Sequence, residues 1–473
     1  MADMSTDYLV QGAGATGLAF VDSLLDHPSD DEIVVVDRHD HPGGHWNDAY
    51  PFVRLHQPAA TYGLASSPLG HDRVETDGMN SGFFDLATKS EILAHYGSVL
   101  RNRFLPSGRV RYFAKSEVQA EPDGRSATIR HLATGAVTRV EIRKRLVTSI
   151  FTTEVPATHP PRFHIAEGVR CIPVNGLVDL ERPYGTYTVI GAGKTGIDAC
   201  LWLLGHGVEP ERIRWVMPRD SWFVPRENMQ PGIQFLTHTI AAQIMMTEEI
   251  MAADSADDLL RRFEARKLLY RLDRDVWPTM FRCANVSTRE LTQLRRIGNV
   301  IRLGRVEAVE RERLVLRDDT IPADPDTLYV HCAAHAFNAD PASTSECPTF
   351  EPGRIHLNVL RFCQPAFSSA VIGRIETLYA DDAARNAVAK PIPIPKVPHD
   401  WLRIQLATYG NAASWKSDPR LDEWAATCRL NLFATGLAGA RKSDPDALAL
   451  LSDWRERARP AAEKLRTLIA RMG

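Results

Sequence analysis

The sequence contains no uninterrupted apolar stretch approaching the roughly 20 residues needed to span a bilayer, so no membrane partner is expected. It has no block of like charge. The 56 Lys and Arg stand against 59 Asp and Glu for a net charge of −3, which offers no electrostatic footing for nucleic acid. The opening residues, MADMSTD, lack the basic and apolar regions of a secretory signal. Cysteine is sparse: seven residues, at 171, 200, 283, 332, 347, 363 and 428, with no C-x-x-C or C-x-x-x-x-C pair. An odd, widely spaced set predicts a reducing, cytoplasmic setting without structural disulfides. Low-complexity tracts are missing as well. What remains, at 473 residues with 44% apolar and 24% charged content, is a globular chain with room for several domains.

The stretch Tyr8 to Asp37 organises the chain. A short apolar run leads into GAGATG, with Gly12, Gly14 and Gly17 at G-x-G-x-x-G spacing. A helix pattern follows (Leu18, Val21, Leu25), then a second apolar run, Ile33 to Val36, ending in Asp37. The first glycine allows a sharp turn, the second close approach of a pyrophosphate, and the third close packing of helix on strand. The phosphates sit on unpaired amides at the helix N-terminus, where Thr16 lies. Asp37 stands where such a fold places the acid that binds a ribose hydroxyl, with Arg38 beside it.

A second copy makes the reading specific. Tyr187 to Ile190 lead into GAGKTG, with Gly191, Gly193, Lys194, Thr195 and Gly196, followed by a helix pattern and an apolar run, Ile213 to Met217. Two such units imply two dinucleotides, or one dinucleotide and a close relative. The first polar side chain after the second run is Arg219, a cation suited to a 2′-phosphate, which favours NADP over NAD. Asp220 beside it opposes that inference. Lys194 adds positive charge at the phosphate edge or is simply an exposed lysine at a helix start.

The segment after Asp37 carries Gly43-Gly44, His45 and Trp46, then Tyr50-Pro51 and His56-Gln57-Pro58. A glycine unit followed by G-G-x-W and Y-P resembles the flavoprotein monooxygenases that use FAD and NADPH: the flavin-containing, Baeyer–Villiger and N-hydroxylating enzymes. The resemblance spans about residues 8 to 380 by motif placement. It implies FAD on the first unit and NADPH on the second, with Gly44, His45 and Trp46 wrapping the flavin end. It also implies that His56 and Gln57 are the catalytic pair near the ring, where the family often carries Asn before Pro. Two departures mark a divergent branch. Thr148, Ser149 and Ile150 stand where many members have Ala-Thr-Gly. Phe163 and Gly168 keep parts of the F-x-G-x-x-x-H fingerprint at another spacing, without its histidine. The redox disulfide of glutathione-reductase-like enzymes is not expected from the cysteine spacing. His39, His41, His45 and His56 cluster in a loop, but no cysteine or carboxylate arrangement supports a metal, and none is expected.

The remaining chain supplies the frame. Thr88 and Glu91 form a capping box at the start of a helix. The runs 109–120 and 128–150 read as an antiparallel meander, and 155–163 is a Pro-rich hinge. Trp222 and Arg226 either flank a nicotinamide or substrate, or belong to a surface loop. Residues 235–294 are helix-rich, with Met245, Met246 and Met251 more typical of core than of a cofactor box. Such an insertion is suited to cap a substrate cavity; Cys283 and Asn285, near Trp277, are candidates to face it but are not assigned to it. Pro391 to Pro398 is a stiff linker, and the tail carries Trp401, Trp415, Trp424 and Trp454, suited to packing or to a homodimer.

The expected fold is therefore α/β with two dinucleotide-binding, Rossmann-like domains, the NADP domain inserted in the FAD domain. The expected FAD domain comprises 1–170 and 331–390. The NADP domain is 171–330 with a helical insertion at about 233–297, and 391–473 is a helical C-terminal region. The expected function is an FAD-dependent, NADPH-consuming oxidoreductase, a monooxygenase acting through a flavin peroxide on a small molecule with dioxygen. Two alternatives stay open: an NADPH-dependent reductase or dehydrogenase with another acceptor, and a non-catalytic NADPH/FAD sensor.

Overall fold

The computed structural model describes residues 3–149, 154–334 and 347–472. Ile150, named above as a departure from the family pattern, lies outside them.

The first glycine unit builds a mainly parallel sheet. Strand β1 (Met4–Gln11) runs into the loop, helix α1 (Ala15–Leu25) follows, and β2 (Ile33–Val36) pairs in parallel with β1. Leu9 and Val10 are fully buried, as are Val34 and Val35. Burial on both faces explains why these strands read as continuous apolar runs. Helix α2 (Lys89–Val99) starts at the expected capping box, with the Thr88 hydroxyl accepting from the Glu91 amide.

The anticipated meander holds only in part. Strand β3 (Val110–Phe113) joins the sheet edge in parallel with β2. Only β4 (Ser116–Ala120), β5 (Ser126–His131) and the first part of β6 (Val137–Ser149) are antiparallel. The rest of β6 lies parallel to β1 and to Arg354–Leu357, so strands from both sides of the second unit share this sheet.

The second unit repeats the plan. Thr186–Ile190 enters the second loop, α3 (Lys194–Gly205) leaves it, and Ile213–Val216 pairs in parallel beside the first strand. The sheet is completed by Asn299–Ile301 on one side and by Thr327–His331 and Cys171–Pro173 on the other, all parallel.

The segment between them is not purely helical. Helices α4 (Ile233–Ala252), α5 (Ala256–Ala265) and α6 (Thr288–Leu294) are joined by a strand, Met280–Val286, that pairs in parallel with Ser221–Pro225. Cys283 and Asn285 lie on that strand. Met245 and Met246 pack against the neighbouring core, whereas Met251 is exposed.

Helix α7 (Pro365–Leu378) lies against α1. At Gly373 an added Cβ would stand 2.9 Å from the Phe20 carbonyl oxygen, so the small residue permits the approach. Beyond the Pro391–Pro398 stretch, helices Asp400–Lys416 and Pro445–Ala470 pack back on the chain. Trp401 and Trp415 are buried within the chain, Trp424 stacks on Phe367, and Trp454 meets Phe433 at a tilt of 40°.

Candidate dinucleotide and active site

The two glycine loops adopt the same turn. Gly14 and Gly193 are the N-caps of α1 and α3 with identical dihedrals, φ −86° and ψ −175°, and neither helix has a side-chain cap. Their first-turn amides are thus left for a ligand. Gly12 and Gly191 have φ +101° and +135°, which disfavour any side chain. A Cβ on Gly17 would stand 2.2 Å from the Gly12 carbonyl oxygen, and one on Gly196 would stand 2.0 Å from that of Gly191. A Cβ on Gly193 would meet nothing within 4 Å, leaving open space over the loop. These cradles fit a pyrophosphate.

The G-G-x-W loop packs directly on the first cradle. The Gly43 amide donates to the Ala13 carbonyl at 2.7 Å, and a Cβ on Gly44 would stand 2.9 Å from Gly14 Cα. Asp37 is buried at the loop: Oδ2 accepts from the Ala13 amide at 2.7 Å, and Oδ1 from the His39 amide and Nδ1 at 2.8 Å. A carboxylate offers about four acceptor positions, so one remains for a ribose hydroxyl. His39 also meets Asp48 at 2.8 Å, and its pKa is raised, first by the hydrogen bond to Asp37. A cleft of about 260 Å3 lined by Asp40, His41, Pro42, Leu93 and Tyr112 runs beside this loop. Arg38 is exposed. The Thr16 hydroxyl donates to Ser149 Oγ at 3.2 Å. Trp46 is buried, with its indole N–H donating to the Tyr62 hydroxyl at 3.0 Å. The histidines share no site: among the described residues no group of three or more His, Cys, Asp or Glu is placed to hold a metal.

Several contacts join the units. The Tyr50 hydroxyl donates to Asp198 Oδ2 at 2.6 Å, and Lys194 pairs with the same carboxylate while its Nζ reaches the Arg54 carbonyl at 3.4 Å. The Thr195 hydroxyl also serves Tyr50. Lys194 is therefore tied to its own helix one turn on. Tyr50 and Asp198 were invisible as partners in the sequence because 148 residues separate them; the Tyr-Pro dipeptide was the only local signal.

At the second strand's end, Asp220 is buried and held by Arg302 at 2.7 and 3.0 Å, while Arg219 is exposed and makes no salt bridge among the described residues. The opposing carboxylate is thus neutralised inward and the cation left outward. Arg282 lies close enough that Arg219, after burial, helps to lower its pKa.

His56 and Gln57 sit where the units and the inserted strand meet. His56 Nδ1 accepts from the Asn285 amide at 3.2 Å, which places the proton of the neutral ring on Nε2. Burial, then the charges of Lys194 and Arg226, push its pKa down to about 3. Gln57 Nε2 donates to the Cys363 carbonyl at 2.8 Å. Trp222 and Arg226 are not surface residues. Trp222 is fully buried, and Arg226, 1% exposed, donates to the carbonyls of His56 and Asn285 and pairs with Glu290 at 2.8 Å.

Burial likewise holds His45 and His95 at about 4. The three imidazoles are neutral in the folded chain and charge on unfolding below the ordinary histidine pKa of about 6.5. The unfolded state then binds more protons, so stability is full above that value and falls as pH drops toward 4. Each group contributes up to about 1.4 kcal/mol per pH unit in that window. Urea midpoints between pH 8 and 4.5 check this, and a flat profile through pH 6 to 4.5 contradicts it. His56 Hε1 is expected to show no NMR titration between pH 8 and 5.

The cysteines overturn one expectation. Cys283 and Cys363 are disulfide-paired, with Cα atoms 6.5 Å apart. Spacing rules register only local pairs, and these lie 80 residues apart.

Fold and site together define an α/β protein with two Rossmann-like units, each built around a glycine loop. The chain belongs to the family of Uncharacterized protein Rv2000 of Mycobacterium tuberculosis, to which it is 42% identical over 435 residues, covering 91% of this chain and 78% of that one. Uncharacterized protein Mb2023 of Mycobacterium bovis matches to the same extent. No family model matches the chain. Among solved structures, the polycyclic ketone monooxygenase of the thermophilic fungus Thermothelomyces thermophila has a TM-score of 0.51 over 94% of this chain and 89% of its own. At 13% identity this is a likeness of fold. No helix among the described residues is long and apolar enough to cross a membrane.

Proposed function

We propose that this chain is an FAD- and NADPH-dependent oxidoreductase and, within that class, a monooxygenase of a small molecule. The observation that carries the reading is the pair of uncapped glycine loops with identical N-cap geometry, linked through Tyr50 and Asp198. The solved neighbour named above is a ketone monooxygenase, which supports the narrower reading.

In this reading Gly12, Gly14, Thr16 and Gly17 hold the FAD pyrophosphate, Asp37 and Arg38 its ribose side, and Gly44, His45 and Trp46 the approach to its ring. Gly191, Gly193, Lys194, Thr195 and Gly196 hold NADPH, and Arg219 its 2′-phosphate. FAD, when bound, supplies hydride acceptance from NADPH and the activation of dioxygen. The chain's own part is orientation and hydrogen bonding. His56, neutral with its proton on Nε2, donates a hydrogen bond and does not act as an acid. Gln57, anchored through Nε2, keeps its Oε1 as an acceptor. Tyr50, Asp198 and Lys194 fix α3 against the first unit, which sets the relation of the two cradles.

Oxygen-18 from labelled dioxygen is expected in the product; a product without the label rejects the monooxygenase step. The alternative, a reductase with another acceptor, is favoured by the residues that replace the family fingerprint. Phe163 stacks edge-on against His331 at 5.8 Å, and Gly168, at φ +81°, serves a turn.

Arg219→Ala is expected to raise KM for NADPH by roughly 10- to 100-fold while leaving KM for NADH nearly unchanged. A lost charge-assisted hydrogen bond is worth about 1.5–3 kcal/mol. Steady-state kinetics with both nucleotides check this, and a parallel change in the two places the phosphate elsewhere.

A further inference from the structure

We propose that Cys283 and Cys363 form a thiol–disulfide exchange site that takes low-molecular-mass thiols and disulfides. The inference goes beyond the dinucleotide reading and does not require a bound cofactor.

The pair joins two parts of the chain, and both are hydrogen-bonded to a third. Cys283 lies on Met280–Val286, at the point where its register with Ser221–Pro225 shifts: Trp222 faces Phe281, but Phe223 faces Ala284, so Arg282 and Cys283 bulge from the ladder. Cys363 stands directly before Gln364, the N-cap of α7. Both segments are tied to the His56–Gln57 pair, one through the Asn285 amide and the other through the Cys363 carbonyl.

Both cysteines have left-handed backbones, with φ +59° and +58°. Glycine suits such a position, and a residue with a Cβ is disfavoured there. Two cysteines in conformations that favour glycine, paired with each other, point to a requirement for sulfur. Both are half-buried, so a small thiol can reach them.

The surroundings are built for a polar ligand. Asn285, 1% exposed, has both side-chain polar atoms unpartnered two residues beyond Cys283. Gln364, 5% exposed, has its Oε1 unpartnered next to Cys363. Buried polar atoms without partners are costly in a folded chain; an amide- and carboxylate-bearing thiol would satisfy them. The N-terminus of the 14-residue α7, directly after Cys363, favours a thiolate there.

The reaction balances without a further reagent. The Cys363 thiolate attacks one sulfur of a disulfide RSSR, forming a Cys363–SR bond and releasing RS−. The Cys283 thiolate then attacks the Cys363 sulfur, forming the Cys283–Cys363 bond and releasing a second RS−. Two electrons pass from the protein dithiol to RSSR, and the two thiol protons end on two RSH. The reverse reaction reduces the pair with two RSH.

The test equilibrates the full-length protein, with and without added FAD, in mixtures of reduced and oxidised glutathione, then alkylates and weighs it. The expected result is a reversible change of two alkyl groups, mapped to the Cys283 and Cys363 peptides, at a midpoint within the glutathione range. Cys283→Ser is expected to accumulate one glutathione on Cys363. A pair that stays bridged in every mixture is a structural crosslink and overturns the proposal. So does a pair that never bridges, or a Cys283→Ser protein without the adduct. The wild-type titration needs no variant to fold. Flavin absorbance is read on the same samples. A colourless protein whose cysteines titrate rejects the FAD reading alone, and a yellow one whose cysteines do not titrate rejects the exchange site alone.

Discussion

Gly17→Ala is expected to yield protein that takes up FAD on the order of 100-fold more weakly, whereas Gly196→Ala is expected to stay yellow and resist bleaching by NADPH. The cause is the same in each unit. A methyl group on Gly17 would lie 2.2 Å from the Gly12 carbonyl oxygen, and on Gly196 2.0 Å from that of Gly191. Both obstacles are backbone atoms of the turn itself, so no side chain can swing aside. The helix must retreat from its strand, at about 1–3 kcal/mol for overpacking, and its first-turn amides leave the phosphates. A loss of about 2.7 kcal/mol corresponds to that 100-fold change. Bound-flavin absorbance and anaerobic NADPH titration separate the two phenotypes. If either substitution affects both nucleotides alike, the cradles are not assigned to separate cofactors.

Arg226→Met is expected to lower stability by about 3–5 kcal/mol, the usual cost of leaving a buried charge without its partner. Arg226 is 1% exposed and bonds His56 O, Asn80 Oδ1, Asn285 O and Glu290. It thus braces the loop carrying His56, the strand carrying Cys283 and the start of α6. Removing it leaves the Glu290 carboxylate with only the Ser287 amide, at 2.8 Å, as a partner among the described residues. Urea unfolding monitored by fluorescence checks the loss. An unchanged midpoint with only a raised KM would return Arg226 to a ligand-binding role.

The parts of the fold legible in the sequence are those encoded by adjacent residues. Each glycine loop, its helix and its flanking strands lie within about 30 residues, the size of one such unit, and both form where the motif places them. The capping box at Thr88 is equally local. The meander failed at β3 because a four-residue strand carries no mark of which neighbour it will join. The strand Met280–Val286 was hidden because its pairing partner lies about 60 residues earlier, beyond any periodicity window. Arg219 and Asp220 could not be ranked until Arg302 was seen to hold the aspartate inward. For Trp222 and Arg226 the sequence offered a ligand-flanking role or a surface loop, because residue type does not report burial. The Cys283–Cys363 pair needed the two segments to be brought together by the fold.

In the proposed function the two cradles place a reduced nicotinamide within reach of a flavin. The most direct test is anaerobic titration of FAD-loaded protein with NADPH, followed by visible absorbance. The expected result is a yellow protein bleached by about one equivalent of NADPH, since a hydride carries the two electrons that a flavin accepts. A protein that binds no flavin, or a yellow one whose absorbance survives excess NADPH, would contradict it.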